Sequence, residues 1–353
     1  MAYTTIDKPS DYFETVLYTG NGGTQSITSL DFAPNWVWIK SRSTVRNNVL
    51  NDTVRGATKN LFSNTTGAEA TDTGTLTSFN SDGFTLSDNA KVNENGTTFA
   101  SWNWKAGTSV SGSTGGSGTA KTYTGSVNTD AGFSIIRYIG NGTAGHTIPH
   151  HLGTTPTWFI ARTISAAKEW DVYHHKLASS PESDYIVLNT TAAAAGATDA
   201  ADKWNDTAPT SSVVTLGDSS QINTNDGTCI LYAFSEKQGY SKFGSYTGNG
   251  NADGTFIYTG FKPAWLMIKK SSATEEWYMY DNKRTPFNEI AKGLAANLSG
   301  AEFDTGATID FLSNGFKNTG TNTGTNASGA TYIYMAFASN PFVTSTGVPA
   351  TAR

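Results

Sequence analysis

Apolar and polar residues alternate with a period of two along short runs, and almost nowhere with the three-to-four spacing of a helix. The clearest runs are "TFASWNW" (Thr98–Trp104), "TCILYAF" (Thr228–Phe234) and "TYIYMAF" (331–337). In a strand, such alternation puts Ala100, Trp102 and Trp104 on one face, with matching sets Ile230, Tyr232, Phe234 and Ile333, Met335, Phe337. "WVWIK" and "WLMIKK" have the aromatic and β-branched content of strands, and "NSDGF" and "LSNGF" carry hairpin signals. The best helical segment is residues 190–204, which Gly196 weakens.

The same landmarks recur in one order. "YTGNG" stands at residues 18–22 and 246–250, with "YIGNG" at 138–142. Each is followed by a Pro-x-Trp run ending in basic residues: "FAPNWVWIKSR" (32–42), "LGTTPTWFIAR" (152–162) and "GFKPAWLMIKK" (260–270). Next come "NLFSNTTGAEA" (60–70), "IVLNTTAAAA" (186–195) and "AANLSGAEF" (295–303). "LTSFNSDGFTL" (76–86) pairs with "IDFLSNGFK" (309–317), a slot held in the second copy by "SSVVTLGDSSQIN" (211–223), which lacks the turn. This is a tandem repeat of roughly 110 residues.

The pattern predicts an all-β chain of three tandem antiparallel β-sandwich modules, jelly-roll or concanavalin-like. The divisions are 1–107, a Gly/Ser/Thr-rich linker at 108–131, then 132–238, 239–341 and an extended tail at 342–353 strapped along a neighbour. The short aromatic junction at 235–245 predicts that copies two and three pack together, with copy one freer. The pentapeptide reads as a strand entering a turn, its tyrosine (Tyr18, Tyr138, Tyr246) in the core and its glycines at positive φ.

Composition narrows the classes. Aromatics at 12% exclude disorder, and a net charge of −5 gives no basic face for nucleic acid. The single Cys229, in an apolar run, excludes an internal disulfide and reads as a small core residue. The start "MAYTTIDKPSDYF" has no basic or apolar leader region, and no apolar run reaches the ~20 residues of a membrane span, so no membrane insertion is expected. A chain made in a cytoplasm yet rich in Thr, Asn and Gly suits a virion protein, synthesised in the host and acting outside it.

Candidate chemistry is sparse. His146, His150, His151, His174 and His175 all fall in copy two, but their spacing matches no helical ligand pair, so loop or surface histidines are expected rather than a metal site. "NGNADG" imitates the start of a calcium loop through Asn249, Asn251 and Asp253, but Gly260 stands where the bidentate Glu belongs, which favours a polar turn. Asp171, Asp206, Asp281, Asp304 and Asp310 form no recognisable hydrolase pair, and no nucleophile elbow, phosphate loop or cofactor fingerprint occurs. Trp36, Trp158 and Trp265 recur at one position, as do Trp170 and Trp277, and so belong to shared architecture. Trp204 has no counterpart. With Asp206, Asn249, Asn251 and Asp253 it forms the candidate glycan-contacting set.

The segments "YFETVLYTGNGGTQSITSLDFAPNWVWIKSR", "VRGATKNLFSNTT", "SFNSDGFTL" and "GYSKFGSYTGNGNADGTFIYTGFKPAWLMIKK" resemble a repeat domain of unknown function. It is found in structural proteins of tailed, mainly marine bacteriophages. The resemblance implies a non-enzymatic virion protein, foremost a tail-fibre or receptor-binding component touching host surface glycans. A capsid-decorating protein is the alternative, and a polysaccharide depolymerase comes third. Other virion proteins are the implied partners, and a homotrimer is the expected oligomer.

Overall fold

The computed structural model describes residues 2–196 and 201–350; of Ala201, Thr305 and Ala307 only the backbone is described. All paired strands are antiparallel, and one sheet order recurs three times. In the first large sheet the closing strand Thr98–Trp104 lies between Phe13–Thr19 and Trp36–Ser41, followed by Val49–Asp52, Lys59–Phe62 and Ala70–Thr71. In the second, Thr228–Phe234 lies between Phe133–Ile139 and Trp158–Thr163, and in the third Thr331–Pro341 lies between Ser241–Thr247 and Phe261–Lys270. Smaller sheets built on Gln25–Ile27 and His146–Pro149 accompany the first two. In the third copy the long strand Phe303–Leu312 carries the large sheet round to Gly315–Asn318 and Phe256–Tyr258.

The period-two faces are as the sequence predicts, and both are covered. Val37 and Ile39, Phe159 and Ala161, and Leu266 and Ile268 face separate cores, one per copy. The opposite faces, bearing Trp36, Trp102 and Trp104, Trp158, Tyr232 and Phe234, and Trp265, Met335 and Phe337, meet in one cluster. Trp36 stacks on Tyr232 at 4.6 Å between ring centroids; Trp104 meets Trp265 edge-on at 5.8 Å, and Trp158 meets Trp277 at 6.0 Å. Modules in series with copy one freer are therefore ruled out. Alternation marks which residues share a face, but it does not say that the second face meets another copy.

The other departures have local causes. Residues 108–131 are not a tether: Thr108–Ser113 pairs with Thr122–Asn128, which extends the edge of Phe133–Ile139, and Gly115–Gly116 pairs with His146–Pro149. Most of the outer strand is exposed, so its residues need no apolar content and read as linker. The tail, described to Ala350, folds on its own chain. Val343 bridges Pro349, Ala350 N–H donates to Phe342 O, and Ser345 N–H donates to Asp7. Of the helix expected at 190–204, only Ala201–Trp204 forms; Ala195–Gly196 is a strand, and 197–200 lie outside the described residues. Among the described residues no helix is long and apolar enough to cross a membrane.

Each seam between copies is closed by a buried cation. Lys40, Arg162 and Lys269 hold one repeat position, four residues after the tryptophan of each Pro-x-Trp run, and none is accessible. Lys40 Nζ donates to Ser299 O at 3.1 Å, Arg162 to Thr66 O at 2.7 Å and Lys269 Nζ to Thr191 O at 3.0 Å. These carbonyls belong to the "NLS", "NTT" and "NTT" triplets, so copy one grips copy three, copy two grips copy one, and copy three grips copy two. The same loops accept side-chain bonds from Asn48 to Ala295 O (3.2 Å), Trp170 to Phe62 O (2.8 Å) and Trp277 to Val187 O (3.0 Å). The contacts are head-to-tail and return to the start, which is a closed ring within one chain.

A shared core and cyclic seams predict a single cooperative urea transition for all three copies, read alike by tryptophan fluorescence and circular dichroism; two separated transitions would contradict it. Arg162→Met removes the guanidinium donors to the Thr65 and Gly67 carbonyls and one of the two donors to Thr66 O, which keeps the Lys168 N–H, and should cost roughly 1–3 kcal/mol in the same titration.

Candidate functional site

The repeated pentapeptide proves to be a clamped turn. Tyr18, Tyr138 and Tyr246 donate their hydroxyls to Val92 O (2.7 Å), Ile222 O (2.6 Å) and Thr325 O (2.6 Å). The residue after each carbonyl is a buried asparagine: Asn93, Asn223 or Asn326. Its side-chain oxygen accepts the N–H of Asn21 (2.9 Å), Asn141 (2.9 Å) or Asn249 (3.0 Å). Gly22, Gly142 and Gly250 take positive φ, whereas Gly20, Gly140 and Gly248 are needed for close approach: a Cβ there would lie 2.3–2.4 Å from a carbonyl oxygen. Three turns held alike by backbone carbonyls and one asparagine are architecture.

The third copy lengthens this turn. Asn249 Oδ1 accepts from Asn251 N–H at 2.9 Å, Asn251 Oδ1 accepts from Asp253 N–H at 3.0 Å, and Asp253 pairs with Lys317. Asn249, Asn251 and Asp253 are exposed and do come together, but the two asparagine oxygens are engaged in the turn itself and the Asp253 carboxylate by Lys317. Asp206 is exposed elsewhere, in a left-handed pair with Asn205 (φ 52° and 45°). Trp204 is not a platform. It is 1% exposed, packs edge-on to Phe159 at 4.8 Å, and donates to Asp184 O at 3.1 Å. Its lack of a counterpart reflects an insertion that fills the core of copy two.

Of the histidines, His151 is exposed and His175 half-buried, and His150 and His151 lie in a loop as expected, whereas His146, His150 and His174 are buried. His146 is buried between Asn223 Oδ1 (2.9 Å) and Thr114 Oγ1 (2.7 Å). His150 Nδ1 accepts from Leu152 N–H, so its Nε2 donates to Thr210 O, and burial pushes its pKa down to about 4. His174 is pushed down to about 3, first by burial and then by His175. His174 Nδ1 accepts from Lys176 N–H (2.9 Å), as Asp52 accepts from Val54 and Asp281 from Lys283 in the other copies. Among the described residues no three His, Cys, Asp or Glu are grouped to hold a metal ion.

The acids are similarly engaged. Asp281 is buried against Arg284 (2.6 Å) and Trp102 Nε1 (3.2 Å), and Asp52 against Arg55 and the Tyr232 hydroxyl (2.6 Å). Asp171 bonds Lys203 at 2.8 Å, and burial lifts its pKa to about 6. Asp304 is exposed near Lys292 at 3.6 Å. Asp310 is raised by burial and then by Glu289. Cys229 is buried and pushed up to about 11, which makes it unreactive.

What remains open to a ligand is a set of surface cavities, one of about 460 Å³ between copy one and the 108–126 hairpin and others bordered by copy three. One of about 420 Å³ is lined by Lys262, Asn282, Phe287, Asn288, Ser339 and Asn340. Another, of about 360 Å³, lies among Tyr3, Glu236, Gln238, Lys242 and Tyr258. The second was not foreseen, because Tyr3 and Tyr258 are 255 residues apart and meet hydroxyl to hydroxyl at 3.1 Å only in the fold.

Residues 8–341 match the family described as "Domain of unknown function (DUF7483)", and the chain belongs to that family. The match runs across all three large sheets. No curated protein and no solved structure matches the chain.

Because His174 binds its proton far less readily folded than unfolded, the unfolded chain holds more protons between about pH 3 and 6.5. Its contribution to stability is therefore full above pH 6.5 and is lost as pH falls toward about 3. His174→Asn, which keeps a donor and an acceptor, should lose less stability than wild type between pH 6.5 and 4, measured as the shift in urea midpoint.

Proposed function

We propose that this chain is a non-enzymatic structural protein on the exterior of a bacteriophage particle, a tail-fibre or receptor-binding component that meets host surface glycans. On this reading its three copies are jelly-roll or concanavalin-like sandwiches, made in the host cytoplasm and working outside it. The observation that carries it is the closed ring. Buried cations and one aromatic core hold the copies together without a disulfide. Chemically competent groups are absorbed in that framework, and turns, edges and shallow cavities face outward. The likeness of the repeated segments to virion repeat domains supports the same reading.

Two features weigh against a depolymerase. Of five well-formed cavities among the described residues, one is lined by Glu14 and another by Glu236, and none by the two carboxylates that glycoside hydrolysis uses. Glu289 helps to raise Asp310, but neither lines the neighbouring cavity.

The ring also favours a second reading, capsid decoration. Three copies sealed into one compact body suit a three-fold capsid position better than an elongated fibre does. The fibre reading carries a homotrimer, whereas decoration needs one chain per position. Gold-labelled antibody on intact particles should mark the tail for the first reading and the capsid for the second; labelling of disrupted particles only would defeat both. Light scattering should give three times 37.5 kDa for the fibre and 37.5 kDa for the single-chain decoration.

A further inference from the structure

The fold builds one short strand three times, at a sheet edge in copies one and three and flanked by Gly115–Gly116 in copy two, so each outward position has two internal counterparts. Gln25–Ile27, His146–Pro149 and Phe256–Tyr258 bury one isoleucine each, Ile27, Ile148 and Ile257, opposite Phe84, Val214 and Phe316. The flanking outward positions hold Ser26 and Thr28 in copy one, and Thr147 and Pro149 in copy two. In copy three they hold Phe256 and Tyr258, 43% and 53% exposed. The framework thus accepts small residues there, and packing does not account for the two rings. Besides them, only Phe287 is an exposed aromatic among the described residues.

The rings adjoin hydrogen-bonding groups. Tyr258 lines the cavity of about 360 Å³, its hydroxyl 3.1 Å from that of Tyr3, which in turn donates to Gly260 O at 2.7 Å. Glu236 is fixed by Lys242 Nζ at 2.7 Å and Phe243 N–H at 2.9 Å, and its carboxylate keeps lone pairs for further donors. The exposed Gln238 adds a carboxamide. The charges at this wall, Glu236 with Lys242, and beside Phe256, Asp253 with Lys317, compensate in pairs. Such a surface offers aromatic faces to C–H groups and polar edges to hydroxyls, with no net charge to select an ion.

We propose that the outward face of Phe256–Tyr258 and the cavity beside it bind a neutral pyranose chain. One sugar ring lies on Tyr258 with its hydroxyls toward Glu236 and Gln238, and the next lies on Phe256. The two positions are about 6.6 Å apart along the strand, on the order of one sugar ring. The proposal rests on the glycan-contacting reading above and gives it a location and a ligand class.

The test is affinity electrophoresis of the whole chain in gels holding dextran, galactomannan or starch. The variant Phe256→Ser with Tyr258→Thr carries residues that copy one already accommodates, and Tyr258→Ala alone serves as a second. Retardation of wild type by at least one polysaccharide, weakened about tenfold or more in the double variant, is the expected result. Wild type retarded and both variants retarded equally would overturn this site while leaving glycan contact standing. Wild type retarded by none would overturn the site and the neutral-glycan reading together.

Discussion

A buried cation against a loop carbonyl is the contact on which the rest of the molecule depends. The "NTT" and "NLS" loops turn carbonyls toward the neighbouring copy, where Lys40, Arg162 and Lys269 donate to them. The cost is visible in the cations themselves: burial pushes Lys40 down to about 7, Lys269 to about 8 and Arg162 to about 10. That cost is offset by hydrogen bonds to carbonyls, two for Lys40, two for Lys269 and several for Arg162. Ser299 O, Thr66 O and Thr191 O also accept the backbone N–H of Arg46, Lys168 and Glu275, so each seam carbonyl is held by two donors. An apolar residue would save the charge and lose the bond that crosses the seam. The cation therefore fixes the angle at which each copy meets the next, and the tryptophans can then interlock at the centre.

The seams also explain why the copies differ where they do. Asp52 in copy one accepts the hydroxyl of Tyr232 in copy two, and Asp281 in copy three accepts Trp102 Nε1 in copy one. The remaining seam places copy two against Met335 of copy three, which has no donor to offer. There the aspartate position holds His174 and the arginine position holds Leu177, where the other copies have Arg55 and Arg284. A carboxylate buried opposite a methionine would lack its second partner, whereas a neutral imidazole caps the local turn through Nδ1 and donates from Nε2 to Tyr334 O at 3.4 Å. The exchange of three residues across one seam is a single physical event.

Much of this was legible in the sequence. Period two assigned Ala100, Trp102 and Trp104 to one face correctly, and the order of landmarks fixed which residues are equivalent. What could not be read was the partner of that face. A strand buried on both sides still alternates when its two faces differ in size, as tryptophan against valine does in "WVWIK". The basic residue near the end of that run carries no sign of burial in the sequence, yet Lys40, Arg162 and Lys269 are fully buried. Trp204 misled for the opposite reason. A residue unique to one copy reads as special, and here it fills the core of copy two. The hairpin at 108–131 was hidden because an exposed edge strand needs no apolar residues to pair.

A molecule repeated within itself carries its own control. Where all three copies agree, as in the asparagine clamp and the buried cations, the residue serves the fold. Where one copy differs at a buried position, as His174 does, a compensating change lies across the seam. Phe256 and Tyr258 satisfy neither condition. They differ from their counterparts, they face outward, and exposing two rings to water works against stability rather than for it. A difference that the fold neither requires nor compensates has to be explained by something outside the chain, and this edge lies directly after the one pentapeptide turn that was lengthened.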